Sequence, residues 1–274
     1  MGVALKPFLA QLVPVLCQSV TDAHPRVRYS ALYALGALVS EFKGESKSGD
    51  HCSEGEEDDT EHEQISDPSF QETFHHIFLP EVLSSIHMNC PIRFPHVLHC
   101  SLRTLSCFCD STCESSIVAS YSGPILDFVL TLLTAPAESK DTVGVPLFVS
   151  EQALVVASNL CSITSPSEVC SRYSAFMTVF RGLLGDLSTS TNCNWDLSQL
   201  RGRSLECFAI MANVVGVENA SGDAIQLIQH IVSMYSTQAA HGEALTSASS
   251  PDPCLAMIDF SDPLASFITQ ACAR

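Results

Sequence analysis

A group of histidine and cysteine residues between positions 96 and 113 contains the side chains best suited to metal chemistry. Its members are His96, His99, Cys100, Cys107, Cys109 and Cys113. Structural zinc sites use paired ligands at short, fixed spacing, and this stretch has no C-x₂-C pair. In a helix Cys107 and Cys109 lie on different faces, and buried cysteines pack as small apolar side chains. The spacing therefore favours helix packing, and we predict no metal site.

Motifs of covalent, phosphate-transfer and metalloprotease catalysis are missing from the sequence. It contains no G-x-S-x-G nucleophile elbow, no P-loop and no H-E-x-x-H zinc motif. His75 and His76 lie in a helical pattern beside Phe74, Ile77 and Phe78, which is typical of histidines at the rim of a core. We therefore predict a protein without enzymatic activity and without a cofactor.

The charge of the chain is strongly negative and unevenly distributed. The formal net charge is −17, and residues 45–67 contribute −9 of it, from ten acids and one lysine. Such a chain repels nucleic acid and favours basic partners. The candidate binding residues in this acidic stretch are Glu54, Glu56, Glu57, Asp58, Asp59 and Glu61. A Lys/Arg-rich partner could bind them through weak, salt-sensitive pairs, and a solvated low-complexity insertion is the alternative.

From the sequence we expect neither a signal peptide nor a membrane-spanning segment. The N-terminal segment is too polar for a signal peptide, and the longest apolar run, residues 125–133, is too short to span. The thirteen cysteines show no disulfide spacing. We therefore expect reduced thiols in the cytoplasm or nucleus.

The elements that position these residues are helices, arranged in pairs. In the first pair, Asp22 to Pro25 breaks the chain, and Pro25 suits the first turn of the next helix. That helix has an apolar stripe at helical spacing, formed by Val27, Ala31, Ala34, Leu35 and Leu38. A helix, a short turn and a second helix make a hairpin that buries its apolar face only against neighbours.

The hairpin pattern recurs about five times and predicts an all-α superhelix of the HEAT or armadillo type. The predicted units cover about residues 5–43, 69–110, 115–164, 166–217 and 222–274. Two long connections, the acidic residues 44–68 and residues 237–262, are predicted to be loops that leave the solenoid. The last stripe has no end signal, which suggests a fragment or a truncated gene model.

Four charged residues of the helices have two possible roles. In the HEAT-like first unit, Asp22 and Arg28 are expected to form a structural ladder between adjacent repeats. Arg201 and Arg203 begin the second helix of the fourth unit, and second helices line the concave surface of such solenoids. They are candidates for contact with an acidic partner, or else an inter-repeat ladder. Glu206 is placed to pair with Arg203.

Three segments resemble the importin-5 (karyopherin-β3) branch of the importin-β-type nuclear transport receptors. Residues 23–38, AHPRVRYSALYALGAL, resemble its HPRVRYAA-type second helix. Residues 199–218, QLRGRSLECFAIMANVVGVE, resemble its LRGKxIEC segment. Residues 267–274, FITQACAR, resemble its ISAWAR helix more weakly. The segments follow the family's order, although the family has a much shorter connection in place of residues 45–67.

The resemblance implies a non-enzymatic receptor that moves between cytoplasm and nucleus. It implies basic cargo, such as histones, ribosomal proteins or proteins with nuclear localisation signals, released by the GTPase Ran in its GTP form. It also implies contact with nucleoporins, and neither direct nucleic-acid binding nor membrane insertion. The alternative is a HEAT-repeat scaffold for complex assembly without a transport role.

Overall fold

The structure, a computed structural model, describes residues 5–42, 78–88, 93–109, 115–135, 144–185 and 195–246. These residues form nine α-helices, and a short 3₁₀ turn, Lys6–Phe8, precedes the first. The helices are α1 Leu9–Ser19, α2 Pro25–Phe42, α3 Leu79–Met88, α4 Pro95–Phe108, α5 Ser115–Thr134, α6 Leu147–Ile163, α7 Pro166–Gly185, α8 Trp195–Val215 and α9 Val217–Thr246. The all-α fold class is confirmed. The predicted acidic loop lies outside the described residues.

Helix α5 contains Gly123 and Pro124, two residues that usually interrupt a helix. The helix runs through Pro124 without a break. A proline inside a helix costs about 3 kcal/mol, since it removes a hydrogen bond and crowds the preceding turn. The apolar face on both sides of it is buried, at Val118, Ile125, Leu126, Val129 and Leu132. Burial of these side chains offsets the proline.

Helix α9 is longer than predicted, and the loop expected over residues 237–262 is wrong in its first part. The helix continues to Thr246. The extra turns contain Gln238, Ala239, Ala240 and Glu243, which are residues with high helix propensity. Residues 247–274, which include the rest of that loop and the expected last helix, lie outside the described part of the chain. The fifth hairpin is therefore still a prediction.

The chain forms two compact units, Met1–Ile125 and Leu126–Arg274. In the first unit α1 packs on α2 and α3, while α4 packs on α2 and α3. First helices thus contact first helices and second helices contact second helices, as expected of stacked hairpins. Of the predicted α2 stripe, Ala31, Leu35 and Leu38 are buried, whereas Val27 is 40% exposed and is not a core residue.

The second unit is organised around α8, which contacts α6, α7 and α9. Its core contains a row of aromatic rings, with Phe180 of α7 between Phe176 and Phe208. Helix α8 ends where Gly216 adopts a φ of 93°, a conformation that side chains other than hydrogen disfavour. The Gly216 amide donates to the Ala212 carbonyl at 3.0 Å, so the chain turns directly into α9.

The closest approach that we find between α2 and α4 lies at Gly36 and Thr104. A Cβ atom on Gly36 would lie 3.1 Å from the Thr104 Oγ1. That hydroxyl is held 2.9 Å from the Leu32 carbonyl of α2 and 2.9 Å from the Cys100 carbonyl of α4. Thr104 is buried. A hydrogen side chain at position 36 is what permits the two second helices to pack at this distance.

Replacing Gly36 with leucine should therefore separate α2 from α4 and lower the free energy of unfolding by about 3 kcal/mol. Urea unfolding followed by circular dichroism measures the change. Gly182→Leu is the matched control, because nothing lies within 4 Å of the equivalent Cβ in α7. The control should gain up to about 1 kcal/mol from helix propensity. Equal losses in both variants would contradict the packing described here.

Candidate functional site

The six acidic candidates, Glu54, Glu56, Glu57, Asp58, Asp59 and Glu61, lie outside the described residues. The structure places the ends of their segment: α2 ends at Phe42, and the chain is described again from Phe78, just before α3. The acidic segment therefore links the second helix of one hairpin to the first helix of the next.

Arg203 of α8 contacts two carboxylates on the second helices of its unit. Its Nη1 lies 2.7 Å from the Glu206 Oε2, one turn along α8, and its Nε lies 3.7 Å from the Glu151 Oε1 of α6. The hydrogen bond to Glu206 is the main reason that the pKa of Arg203 is raised. The pairing with Glu206 is present as predicted. The contact with Glu151 makes Arg203 a link between adjacent second helices.

Arg201, two residues earlier, points to a different partner. Its Nε donates to the Leu183 carbonyl at 3.2 Å. Leu183 lies in the last turn of α7, where helix carbonyls have no partner within their own helix. Arg201 thus caps α7, the helix that precedes its own. Both arginines make structural contacts, and the proposed contact with an acidic partner stays a prediction.

Asp22 makes a contact within its own turn, and the inter-repeat ladder expected of it and Arg28 stays a prediction. Its Oδ1 accepts the His24 amide at 2.7 Å, which fixes the turn before α2. Arg28 donates through Nη1 to the Asp22 carbonyl at 2.6 Å and to the Ala23 carbonyl at 3.1 Å. Among the described residues, Arg28 also contacts the next hairpin. The Arg28 Cζ atom lies over the Phe94 ring, 4.7 Å from the ring centroid.

A charged ladder not predicted from the sequence joins the first helices of the second unit. Arg172 of α7 binds Asp127 of α5 in a bidentate arrangement, at 2.6 and 2.9 Å, and also pairs with Glu168. Arg181 of α7 pairs with Asp223 of α9. The hydrogen bond from Arg172 lowers the pKa of the Asp127 carboxyl. The partners are 45 and 42 residues apart, about one repeat, and that spacing is the signal that could have revealed them.

The buried cysteines of α6 and α8 are chemically inert. Cys161 and Cys207 are both buried, and burial raises the pKa of each thiol, to about 12 at Cys207. Burial likewise raises the pKa of Cys17 in α1 to about 11. A thiol is nucleophilic only as the thiolate, so these groups are protonated and unreactive at neutral pH. They pack as small apolar side chains.

Within the six described ranges, the structure contains neither a cluster suited to a metal ion nor a helix suited to a membrane. No group of three or more His, Cys, Asp or Glu side chains that could hold a metal ion occurs there. Cys113, one member of the cluster considered above, lies outside those ranges. None of the helices in these ranges is both long enough and apolar enough to cross a bilayer.

Comparison with known sequences finds the HEAT repeat and a transport receptor. The family model described as "HEAT repeat" matches residues 12–42, which are most of α1 and all of α2. The chain is similar to "Importin subunit beta-3" of Saccharomyces cerevisiae, with 23% identity over 239 residues. The match covers 87% of this chain and 18% of the relative. The chain therefore spans less than a fifth of the length of that relative.

Comparison with known structures finds the same fold in the karyopherin Kap121p. A structure of Kap121p bound to RanGTP has a TM-score of 0.58 at 21% identity, covering 84% of this chain and 18% of that one. The structure of Kap121p alone has a TM-score of 0.59 at 20% identity, covering 97% of this chain and 19% of Kap121p. Kap121p bound to Pho4p gives 0.59 at 20% identity, with 85% and 18% coverage. At these identities the similarity shows the fold.

Proposed function

We propose that this chain is a segment of an importin-β-type nuclear transport receptor of the importin-5 (karyopherin-β3) branch. The observation that carries the proposal is its similarity to importin subunit beta-3 across 87% of the chain. The fold shared with Kap121p supports it over 84% or more of the chain. The activity is binding and release of a protein, which requires no catalytic residue and no cofactor.

The cargo is a basic protein, such as a histone, a ribosomal protein or a protein with a nuclear localisation signal. The support is the net charge of −17, which raises the local concentration of basic partners and repels nucleic acid. The acidic residues from Glu54 to Glu61 form the cargo-binding candidate. They would act through many weak, salt-sensitive pairs.

The arginine candidates act differently under this proposal. Arg203 already pairs with Glu206 and lies near Glu151, so a partner would have to displace carboxylates that are present. Arg201 is committed to the last turn of α7. Both residues therefore hold second helices in place and set the surface that cargo meets.

Release follows from Ran in its GTP form, and the receptor moves between cytoplasm and nucleus with the help of nucleoporins. Kap121p, which shares the fold, has been determined with RanGTP and, separately, with the proteins Pho4p and Ste12p. In an array in which each repeat contacts its neighbours, small rotations can couple two distant binding events.

A pull-down with histones and ribosomal proteins tests the proposal. The bait is the longest natural protein that contains this sequence. It is tested with and without Ran locked in its GTP form. Basic cargo should bind, and Ran-GTP should displace it. Cargo binding that ignores Ran-GTP would contradict the transport role and favour the alternative, a HEAT-repeat scaffold. The observation favouring that alternative is that the matching family model covers a repeat shared with other HEAT proteins.

A further inference from the structure

The second helices of the first unit, α2 and α4, form a groove with two pockets. The first pocket, of about 460 Å³, lies at the start of both helices, and its lining includes Pro25, Arg26, Tyr29, Phe94, Pro95 and His96. The second, of about 230 Å³, lies further along, and its lining includes Tyr33, Ser40, Arg103 and Cys107. We call this surface the α2/α4 groove. Tyr29 and Tyr33, one helical turn apart, lie in neighbouring pockets.

Two tyrosine side chains in the groove are exposed to solvent and not packed in the core. Tyr29 is 44% exposed and Tyr33 is 57% exposed, although both lie on a helix whose opposite face is in the core. Aromatic side chains that stay open to solvent within a concave surface are typical of partner-binding sites. An apolar side chain seated beside Tyr29 or Tyr33 would bury that surface.

The groove is also positively charged within a strongly acidic chain. Arg26 and Arg103 are exposed, and no ion pair is found for either within the described ranges. By contrast, Arg172, Arg181 and Arg203 of the second unit all pair with carboxylates. Two cations in a shared groove without counter-ions favour an anionic partner.

Two further arginines add to the positive charge at the first pocket. Arg28 and Arg93 lie over the Phe94 ring, at 4.7 and 4.9 Å from its centroid. Arg28 is only 6% exposed, and its Nε and Nη2 have no hydrogen-bond partner. The first turns of α2 and α4 contain no acid, so the positive ends of the two helix dipoles add to this charge.

Among the described residues of the same unit, three acids lie on the elements around the groove or next to them. The Asp22 carboxylate accepts the His24 amide within its turn. Glu81 lies on α3 and acts on Cys17 of α1, so it belongs to the first-helix side of the unit. Glu41 lies in the last turn of α2, at the far end of the groove. Among the described residues, the arginines around the first pocket, Arg26, Arg28 and Arg93, therefore outnumber the one acid near it, Asp22.

We propose that the α2/α4 groove binds an extended acidic segment of a partner protein, with an apolar side chain anchored beside Tyr29 or Tyr33. From Arg26 to Ser40 the groove spans about 21 Å of helix, which is about six extended residues. Carboxylates of the segment pair with Arg26 and Arg103, and its apolar side chain occupies the pocket beside Tyr29 or the pocket beside Tyr33. A basic segment would bring like charges together at Arg26 and at Arg103.

This site is separate from the proposed transport function, because it takes a ligand of the opposite charge. The transport proposal places basic cargo at an acidic segment, whereas the groove takes an acidic segment at arginines. Loss of one binding activity therefore leaves the other in place, and the two proposals fail independently.

Fluorescence anisotropy with the full-length chain tests the groove, at about 0.15 M salt so that charges beyond about 8 Å are screened. The probe is a labelled peptide of about ten Asp and Glu residues with one central leucine. A second peptide lacks the leucine, and a third replaces the acids with lysines. We expect the first to bind most tightly, the second more weakly, and the lysine peptide not to bind the groove.

The variants separate charge from apolar anchoring. Arg26→Gln and Arg103→Gln should each weaken the first peptide about two- to fivefold, while Arg181→Gln, which removes the same charge elsewhere, should not. Tyr33→Ala should weaken it about tenfold. Phe8→Ala is its control, because Phe8 is as exposed as Tyr33, at 57%, but lies outside the groove. Circular dichroism confirms that every variant is folded.

Three results would overturn the proposal. The first is equal or tighter binding of the lysine peptide. The second is binding that Arg26→Gln, Arg103→Gln and Tyr33→Ala leave unchanged. The third is a gain of tenfold or more in affinity for the acidic probe when residues 45–67 are deleted, which would assign the groove to the chain's own acidic segment.

Discussion

Replacing Phe208 with alanine should lower the free energy of unfolding of the second unit by about 3–5 kcal/mol. Phe208 of α8 is 1% exposed, and its ring meets Phe180 of α7 edge to face, with 6.2 Å between centroids. The substitution removes the buried ring, leaves a cavity and breaks the aromatic pair. Because α8 contacts α6, α7 and α9, the cavity weakens the helix on which the unit is built.

Urea unfolding followed by circular dichroism measures this loss. Phe8→Ala provides the control, since the same atoms are removed from a side chain that is 57% exposed. The control should change the free energy of unfolding by no more than about 0.5 kcal/mol. If Phe208→Ala unfolds at the same urea concentration as Phe8→Ala, Phe208 does not lie in the core described here.

Neutralising the acidic segment should weaken the binding of basic cargo by about tenfold or more at low salt. The variant replaces Glu54, Glu56, Glu57, Asp58, Asp59 and Glu61 with the corresponding amides. It removes six of the ten acids between residues 45 and 67, so the electrostatic attraction of this segment falls sharply. Binding of a histone is measured by isothermal titration at several salt concentrations.

A scrambled segment of the same composition is the control for that experiment. It keeps the charge and changes the order, so binding through many weak pairs should survive it. The original segment should also show a steeper salt dependence than the neutralised one. Cargo affinity that stays constant after neutralisation would mean that the segment is a solvated insertion.

The sequence predicts the helices better than it predicts their ends. The stripe of Ala31, Leu35 and Leu38 indicates α2, and all three residues are buried. The loop expected from residue 237 differs from the structure, in which α9 continues to Thr246. The continuity of α5 shows how a local signal competes with burial. Pro124 suggests a break, yet the buried face from Val118 to Leu132 continues through it. Local propensity cannot show whether the cost of the proline or the gain from burial is larger.

Side-chain partners are easiest to predict where they are close in sequence. The pairing of Arg203 with Glu206 follows from a spacing of three residues. The ladder between Arg172 and Asp127 spans 45 residues and depends on how neighbouring hairpins stack. The segment 199–218 contains core residues as well as charged ones, since its Leu200 and Cys207 are buried. Part of its resemblance to the importin-5 branch therefore consists of residues that the fold itself requires.

The most direct test of the transport role is the reciprocity of Ran and cargo binding. The affinity of the natural protein for GTP-locked Ran is measured with and without saturating histone, and its affinity for histone with and without saturating Ran. A transport receptor should show the same fold decrease in both directions, because coupling free energy is reciprocal. We expect a decrease of at least about tenfold. Equal affinities with and without the second partner would contradict the central claim.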